Sequence, residues 1–223
     1  MTVKHPAVFS DRLLPIIAEI LISHETRSVL DPFAGTGKLA LIKELGFRGT
    51  IDCAEIEREW ASTNLYSVDN WYVGDSANMY WAQNESYDAI VTSTVYGNRL
   101  SDHHNAQDGS KRISYKHFLG RDLTEGNTGQ MQWGDDYRRK HEQVYLECLR
   151  VLKNGGIFIL NISDHIRKGE IMPVSLWHRE TLEELGLTLI QEVQVETPRM
   201  KFGKNAELRV PYENIFVFKK YER

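Results

Sequence analysis

Asp31-Pro32-Phe33-Ala34-Gly35-Thr36-Gly37-Lys38 stands where an apolar run, Ser28 to Pro32, gives way to a second apolar-periodic stretch, Lys38 to Leu45. The first run has strand length and the second is predicted to be a helix, so the octapeptide is a strand-to-helix turn. Gly35 and Gly37 allow such a turn to be tight and let backbone approach a ligand, and a following helix offers free N–H groups.

The same rhythm extends in both directions. Strands are predicted at Thr50 to Ile56, Trp71 to Gly74, Tyr87 to Thr92, Ile157 to Ile162, Thr188 to Val195 and Asn214 to Lys219. Helices are predicted from a Ser10 cap through Ile22, from Glu57 to about Tyr66, weakly near Met79, from Asp136 to Leu152, and from Pro173 to Leu185. Asn154-Gly155-Gly156 is read as the stop of the fourth of these. Strand-length runs alternating with amphipathic stretches imply an α/β fold with helices on both faces of a largely parallel sheet. At 223 residues the chain suits one domain, 1–223, with a long polar loop at about 97–135 and a polar, basic hairpin at about 196–213.

Composition limits the function classes. No stretch approaches the ~20 apolar residues needed to span a bilayer, and the N-terminal residues lack a signal-peptide pattern. The expectation is a cytoplasmic protein without a membrane partner. Cys53, in a predicted strand, and Cys148, in a predicted helix, read as small buried hydrophobes. The net charge of −4 is unevenly spread: residues 97–140 hold eight Lys/Arg against six Asp/Glu, and residues 196–223 hold seven against four.

The octapeptide admits three ligand readings. A phosphate-binding Walker loop would need Gly at 32 and Ser or Thr at 39, where Pro32 and Leu39 stand. A dinucleotide fingerprint is partly met by Gly35, Gly37 and Ala40, with Glu55 following. The third reading gives every acid a task, and its ligand is S-adenosylmethionine (SAM). Asp31 would face the ammonium of the methionine moiety, Glu55 would accept from both ribose hydroxyls, Ile56 would cover one face of the adenine, and Asp75 would accept from the adenine amino group. Phe33 and Ser76, in the same two motifs, complete this candidate set.

With those residues the chain resembles class I SAM-dependent methyltransferases, and DPFAGTG looks like the form found in DNA amino-methyltransferases. The resemblance covers nearly the whole chain. HPAVFSDRLL is similar to the segment that packs over SAM in that family, which would place Phe9 near the cofactor. The ending YENIFVFKK is similar to its last strand. The resemblance implies a Rossmann-like seven-stranded sheet of order 3-2-1-4-5-7-6 with strand 7 antiparallel.

It also implies an acceptor motif at the end of strand four. There Ser93-Thr94-Val95-Tyr96 matches the family pattern at its first and last members, and lacks the Pro-Pro pair between them. Ser93 and the Thr94 carbonyl would each accept a hydrogen from an exocyclic amine, and Tyr96 would stack on a flipped base. Thr94-Val95 gives up the fixed φ of proline, so the carbonyl is less rigidly presented.

Both segments with basic excess should open beside that cleft. Arg99, Lys111, Arg112, Lys116 and Arg121 belong to one, and Arg199, Lys201, Lys204 and Arg209 to the other. Tyr115, Phe118, Trp133 and Phe202 are interleaved with them, a mix suited to phosphate contact and base stacking. Of these, Arg99, Lys111, Arg112, Lys201 and Lys204 are the candidate substrate contacts. His103 and His104 have no Cys partners nearby, and no metal is expected.

The functional reading is methyl transfer from SAM to an exocyclic amino nitrogen of a nucleic-acid base, DNA preferred and cytosine or adenine both open. The alternatives are an RNA or small-molecule amine methyltransferase, and a catalytically impaired SAM-binding subunit of a larger complex. Sequence choice would rest on the loop after Tyr96 or on a partner chain, and a homodimer or a partner subunit is the expected assembly.

Overall fold

A computed structural model describes His5 and residues 9–94, 115–167, 169–197 and 206–222. Nine strands are found among them: β1 (Ser28–Asp31), β2 (Thr50–Glu55), β3 (Asn70–Val73), β4 (Tyr87–Ser93), β5 (Leu152–Ile162), β6 (His165–Arg167), β7 (Glu170–Met172), β8 (Leu187–Glu196) and β9 (Tyr212–Lys220). The helices are α1 (Leu14–Ser23), α2 (Arg58–Ala61), α3 (Tyr115–Leu119), α4 (Asp135–Val151) and α5 (Val174–Glu184).

Seven strands form one sheet of order β3-β2-β1-β4-β5-β9-β8. β1 through β5 pair in parallel, and β9 lies antiparallel to both β5 and β8. This is the expected order, with the expected strands six and seven appearing as β8 and β9. The chain runs outward from β1 to β2 and β3, then returns to place β4 on the other side of β1. That reversal opens a crevice at the carboxyl ends of β1 and β4.

Alternating strand residues build the two cores. Val29, Ile51, Val91, Ile159 and Val217 face Leu13, Ile17 and Leu21 at α1 and Leu39 and Ile42 beyond the glycine turn. Leu30, Ile90, Phe158, Leu160 and Phe216 face Val144, Tyr145 and Cys148 of α4 and Leu182 of α5. Cys53 and Cys148 are buried free thiols, as their strand and helix positions suggested. Among the described residues no helix is long and apolar enough to cross a membrane.

Several local expectations are corrected. Lys38–Lys43 is a 3₁₀ helix rather than an α-helix, entered from Gly37 in the left-handed region (φ 79°) and closed by Gly46 (φ 100°). The predicted helix from Glu57 stops at Ala61, because Ser62, Thr63 and Asn64 compete with the helical backbone and Asn64 turns left-handed (φ 49°). No helix forms at Met79, whose N–H donates to Glu147 and whose carbonyl accepts from Arg150, both on α4. α1 starts at Leu14, with no side-chain cap from Ser10.

Asn154-Gly155-Gly156 does not separate helix from strand. α4 ends at Val151, β5 starts at Leu152, and the glycines form a bulge between the Tyr87–Leu152 and Ala89–Ile157 pairs. A Cβ on Gly156 would lie 2.9 Å from the Asp88 carbonyl, so the bulge needs a residue without a side chain. The short β6–β7 hairpin was not anticipated, and the expected loop at 97–135 contains α3 and a 3₁₀ turn at Thr128–Gln130.

Candidate cofactor and acceptor site

Asp31 ends β1 at the crevice and is 0% exposed. Its Oδ1 accepts from the Phe33 amide at 3.1 Å, and its Oδ2 has no partner among the described residues. Burial pushes its pKa up to about 7, although the Phe33 amide and the neighbouring Thr92 hydroxyl favour the charged form. A desolvated carboxylate with one open oxygen is suited to a cation that can supply the missing charge and hydrogen bond. An ammonium fits it, and that is the fit expected for the SAM methionine group.

Glu55 ends β2 and is also buried. Its Oε2 accepts from the Gly35 amide at 2.8 Å and its Oε1 from the Glu57 amide at 2.9 Å. Desolvation raises its pKa to about 8, with the charges of Glu57 and Asp31 adding to the effect. The carboxylate thus shapes the glycine turn itself. A second lone pair on each oxygen is left for ribose hydroxyls.

The two glycines serve different needs. A Cβ on Gly37 would meet Val68 at 2.7 Å and Trp71 at 2.8 Å, so this glycine lets the turn pack against the segment leading to β3. A Cβ on Gly35 (φ 54°) would stand 3.3 Å from His5 Nε2. The His5 ring sits edge-on to Trp60 at 4.1 Å, so the space before Gly35 is bounded by an N-terminal side chain. We expect Gly37→Ala to lower the unfolding free energy by about 2 kcal/mol, because left-handed φ and the clash add. Gly35→Ala should cost less. Urea denaturation of the two variants checks the order, and the reverse order would refute it.

Phe9 is buried in the core beside α1, and its carbonyl accepts from Lys38 Nζ at 2.7 Å. Lys38, the last residue of the motif, also pairs with Asp11 at 2.6 Å, so it ties the N-terminal segment to the turn. Phe33 is half-buried, its ring centroid 5.5 Å from that of His141. Ser76 donates its hydroxyl hydrogen to the Pro32 carbonyl at 2.7 Å, which joins the two motifs instead of leaving the group free for a ligand.

Asp75 accepts from the Ala77 amide at 2.9 Å and forms an ion pair with Lys140 of α4. Gly126 lies over both: a Cβ there would stand 3.5 Å from Asp75 Oδ2, 3.6 Å from Lys140 Nζ and 4.0 Å from Ile56. The segment that contains Gly126 therefore passes across the Ile56 and Asp75 end of the crevice. A ligand amino group at Asp75 would share the carboxylate with Lys140.

That segment is held by a residue the sequence reading passed over. Glu57 is 0% exposed. Its Oε1 accepts from the Thr124 amide and Asn127 Nδ2, both at 2.8 Å. Its Oε2 accepts from Arg121 Nη2 at 2.7 Å and the Thr124 hydroxyl at 2.8 Å. Arg121 also grips Glu59 with two bonds of 2.8 and 2.6 Å. These partners hold the Glu59 carboxyl below its usual range and raise the guanidinium further.

Arg121 is therefore not a phosphate ligand, since its charge is met by Glu57 and Glu59. Along α4, Lys140 pairs with Asp75, and Arg139 forms an exposed pair with Asp136. Arg138 sits over the Trp133 ring at 4.8 Å. Trp133 itself packs among Tyr137, His165 and Trp177. Tyr115 is buried against Trp60, and Asp164 caps α5 through the Ser175 amide and hydroxyl, at 2.8 and 2.6 Å. Tyr96, Arg99, Lys111, Arg112, Arg199, Lys201, Phe202, Lys204 and the Lys116 side chain lie outside the described residues.

On the acceptor side, Ser93 ends β4 with its Oγ accepting from Asn161 Nδ2 at 3.1 Å. Thr94 is buried, its hydroxyl without a partner among the described residues. Among the described residues no group of three or more His, Cys, Asp or Glu side chains could hold a metal ion.

No protein-family model and no curated protein matches the sequence. The fold does have solved counterparts. A chain from the complex between the Haloferax volcanii Trm112 methyltransferase activator and a candidate methyltransferase is similar at TM-score 0.58 and 12% identity, over 96% of this chain and 91% of that one. Magnesium protoporphyrin IX methyltransferase from Synechocystis PCC 6803, solved with bound SAH, is similar at TM-score 0.56 and 10% identity, over 93% and 81%. The N-methyltransferase NodS from Bradyrhizobium japonicum WM9 is similar at TM-score 0.52 and 13% identity, over 96% and 100%. With the sheet order, these decide the architecture.

The fold is the Rossmann-like one shared by these methyltransferases. In an open α/β sheet the crevice where the strand order reverses, here between β1 and β4, is the place for a ligand. Asp31 and Ser93 end those two strands, and Glu55 ends β2 beside β1.

Proposed function

We propose that the chain is a SAM-dependent methyltransferase acting on an exocyclic amino nitrogen of a nucleic-acid base, with DNA the preferred acceptor. The observation that carries the cofactor reading is the buried Asp31, whose unpartnered Oδ2 lies beside the glycine turn. Asp31 would bind the ammonium, Glu55 the ribose hydroxyls, and Ile56 with Asp75 the adenine. Gly35 and Gly37 would keep the turn close to the ligand, with Phe9 and Phe33 packed around it.

The bound cofactor supplies a methyl group on a positively charged sulfur, and transfer leaves a neutral thioether while the acceptor nitrogen sheds one proton. The chain's contribution is alignment. An amine on an aromatic ring has its lone pair delocalised, and acceptors on its two hydrogens turn the nitrogen toward a tetrahedral, more nucleophilic shape. Ser93 Oγ and the Thr94 carbonyl, at the end of β4, would be those acceptors, and holding the amine in line is a large share of the rate. Tyr96, two positions beyond Thr94, would stack on the base.

The preference for DNA rests on the likeness of DPFAGTG and of the Ser-x-x-Tyr run to amino-methyltransferases. It does not rest on charge, because Arg121 is taken up by Glu57 and Lys140 by Asp75 within the chain. A second reading, a chain that works with a partner protein, is favoured by the activator complex among its structural counterparts.

The test is incorporation of tritiated methyl from SAM into unmodified DNA, with RNA and Ser93→Ala in parallel. Label in DNA that falls about tenfold or more in Ser93→Ala is expected. Label in RNA alone would replace the DNA reading. No label in either polymer, with SAM still bound, would favour the partner-dependent one.

A further inference from the structure

Ser93 on β4 and Asn161 on β5 are register partners, so their side chains project on the same face of the sheet at its carboxyl edge. Asn161 is 1% exposed, and Glu213 at the start of β9 is 8% exposed. The Asn161 amide nitrogen donates to both neighbours, at 3.1 Å to Ser93 Oγ and at 2.9 Å to Glu213 Oε2. Its Oδ1 is buried without a partner among the described residues.

The direction of the amide follows from Glu213. A carboxylate only accepts, so it must face the NH₂ end of Asn161 and not its oxygen. The second amide hydrogen then enters one lone pair of the Ser93 hydroxyl. That hydroxyl keeps one lone pair and its own proton, and the proton has no partner among the described residues. Leaving Asn161 Oδ1 unsatisfied inside the protein has a desolvation cost, which fits an amide oriented by its neighbour and not by its own needs.

We infer that Asn161, oriented by Glu213, is a positioning residue that turns the Ser93 hydroxyl proton toward the acceptor. The site then reads an amine that adjoins an unprotonated ring nitrogen. This rests on the reading of Ser93 as the residue that faces the acceptor. The amine N–H enters the free lone pair of Ser93, and the ring nitrogen accepts the hydroxyl proton in a hydrogen bond. The amino edges of cytosine and adenine both meet this demand. An aliphatic amine does not, since it offers no acceptor beside the amine. An aspartate in place of Ser93 could supply only acceptors.

The test compares two acceptors that differ in one atom. The DNA that the wild type labels is resynthesised with 3-deazacytosine for cytosine or 1-deazaadenine for adenine, which keeps the amine and replaces the ring nitrogen with CH. The native-to-deaza ratio of kcat/KM is measured for wild type, Asn161→Leu and Glu213→Gln, with SAM affinity from calorimetry as the check on folding. The intrinsic difference between the two bases is common to all three proteins, so only the positioned hydrogen bond changes the ratio.

The wild-type ratio is expected to exceed that of Asn161→Leu by roughly tenfold, with Glu213→Gln reduced in the same direction. A general structural role would lower both rates and leave the ratio unchanged. Equal ratios in the three proteins, with methyl transfer intact, overturn this inference alone. Absence of transfer to any base by the wild type overturns the base-methylation reading, and this inference with it.

Discussion

Asp31→Asn is expected to weaken SAM binding about a hundredfold while making the ligand-free protein more stable at pH 8. The two effects share one cause. Asp31 is fully buried with an unpartnered oxygen, so its charge is a cost until a cation arrives. Removing one partner of a buried ion pair commonly costs about 3–5 kcal/mol, and a hundredfold is about 2.7 kcal/mol.

The pH dependence has a definite sign. The Asp31 pKa is raised to about 7 in the folded protein, from 3.8. Between those values the folded state holds a proton that the unfolded chain has released, so this group's contribution to stability is lost as pH rises through about 7. SAM affinity should move the opposite way, climbing as Asp31 ionises up to about pH 7 and declining once the ligand's own α-ammonium deprotonates at about pH 8. Asp31→Asn should remove the Asp31 share of both slopes. Calorimetric titrations and thermal melts from pH 5 to 8.5 measure them, and wild-type affinity in the variant would end the assignment of Asp31 to the ammonium.

Glu57→Gln is expected to destabilise the protein by about 3 kcal/mol and to release the segment around residues 121–130. The carboxylate is buried and receives four hydrogen bonds, from Arg121, from the Thr124 amide and hydroxyl, and from Asn127. An amide cannot accept at both ends, and its NH₂ would face the Arg121 guanidinium. Arg121 would keep Glu59, whose side chain is 38% exposed, and an exposed pair is worth about 1 kcal/mol or less.

Glu59→Gln is therefore the control, with a small expected effect. Because Gly126 crosses Ile56 and Asp75, Glu57→Gln should also speed SAM dissociation. Urea denaturation and amide hydrogen exchange over 121–130 provide the measurement. Equal behaviour of the two variants would mean that Glu57 does not hold this segment.

The division between what was legible in the sequence and what was not follows the range of the interactions. The strands themselves, the glycine turn, and the placement of Asp31 and Glu55 at strand ends follow from apolar periodicity and turn chemistry, which act over a few residues. The order of the seven strands and the place of Ser93, by contrast, were implied by the family resemblance. The helix at Lys38 came out as a tighter 3₁₀ turn, and that after Glu57 as one short turn. Local patterns specify the presence of such elements better than their pitch or length.

The partners of the site residues were of another kind. Glu57 meets Arg121, Thr124 and Asn127 at sequence separations of 64, 67 and 70. Asp75 meets Lys140 at 65, and Ser93 meets Asn161 at 68. A charge in a sequence does not say whether a buried carboxylate will claim it, which is why Arg121 read as a free phosphate contact and proved to be spent. The sequence by itself determined which strand ends carry the acids. Only the packing of distant segments decided which of those acids find partners at both oxygens and which one, Asp31, keeps an oxygen without a partner among the described residues.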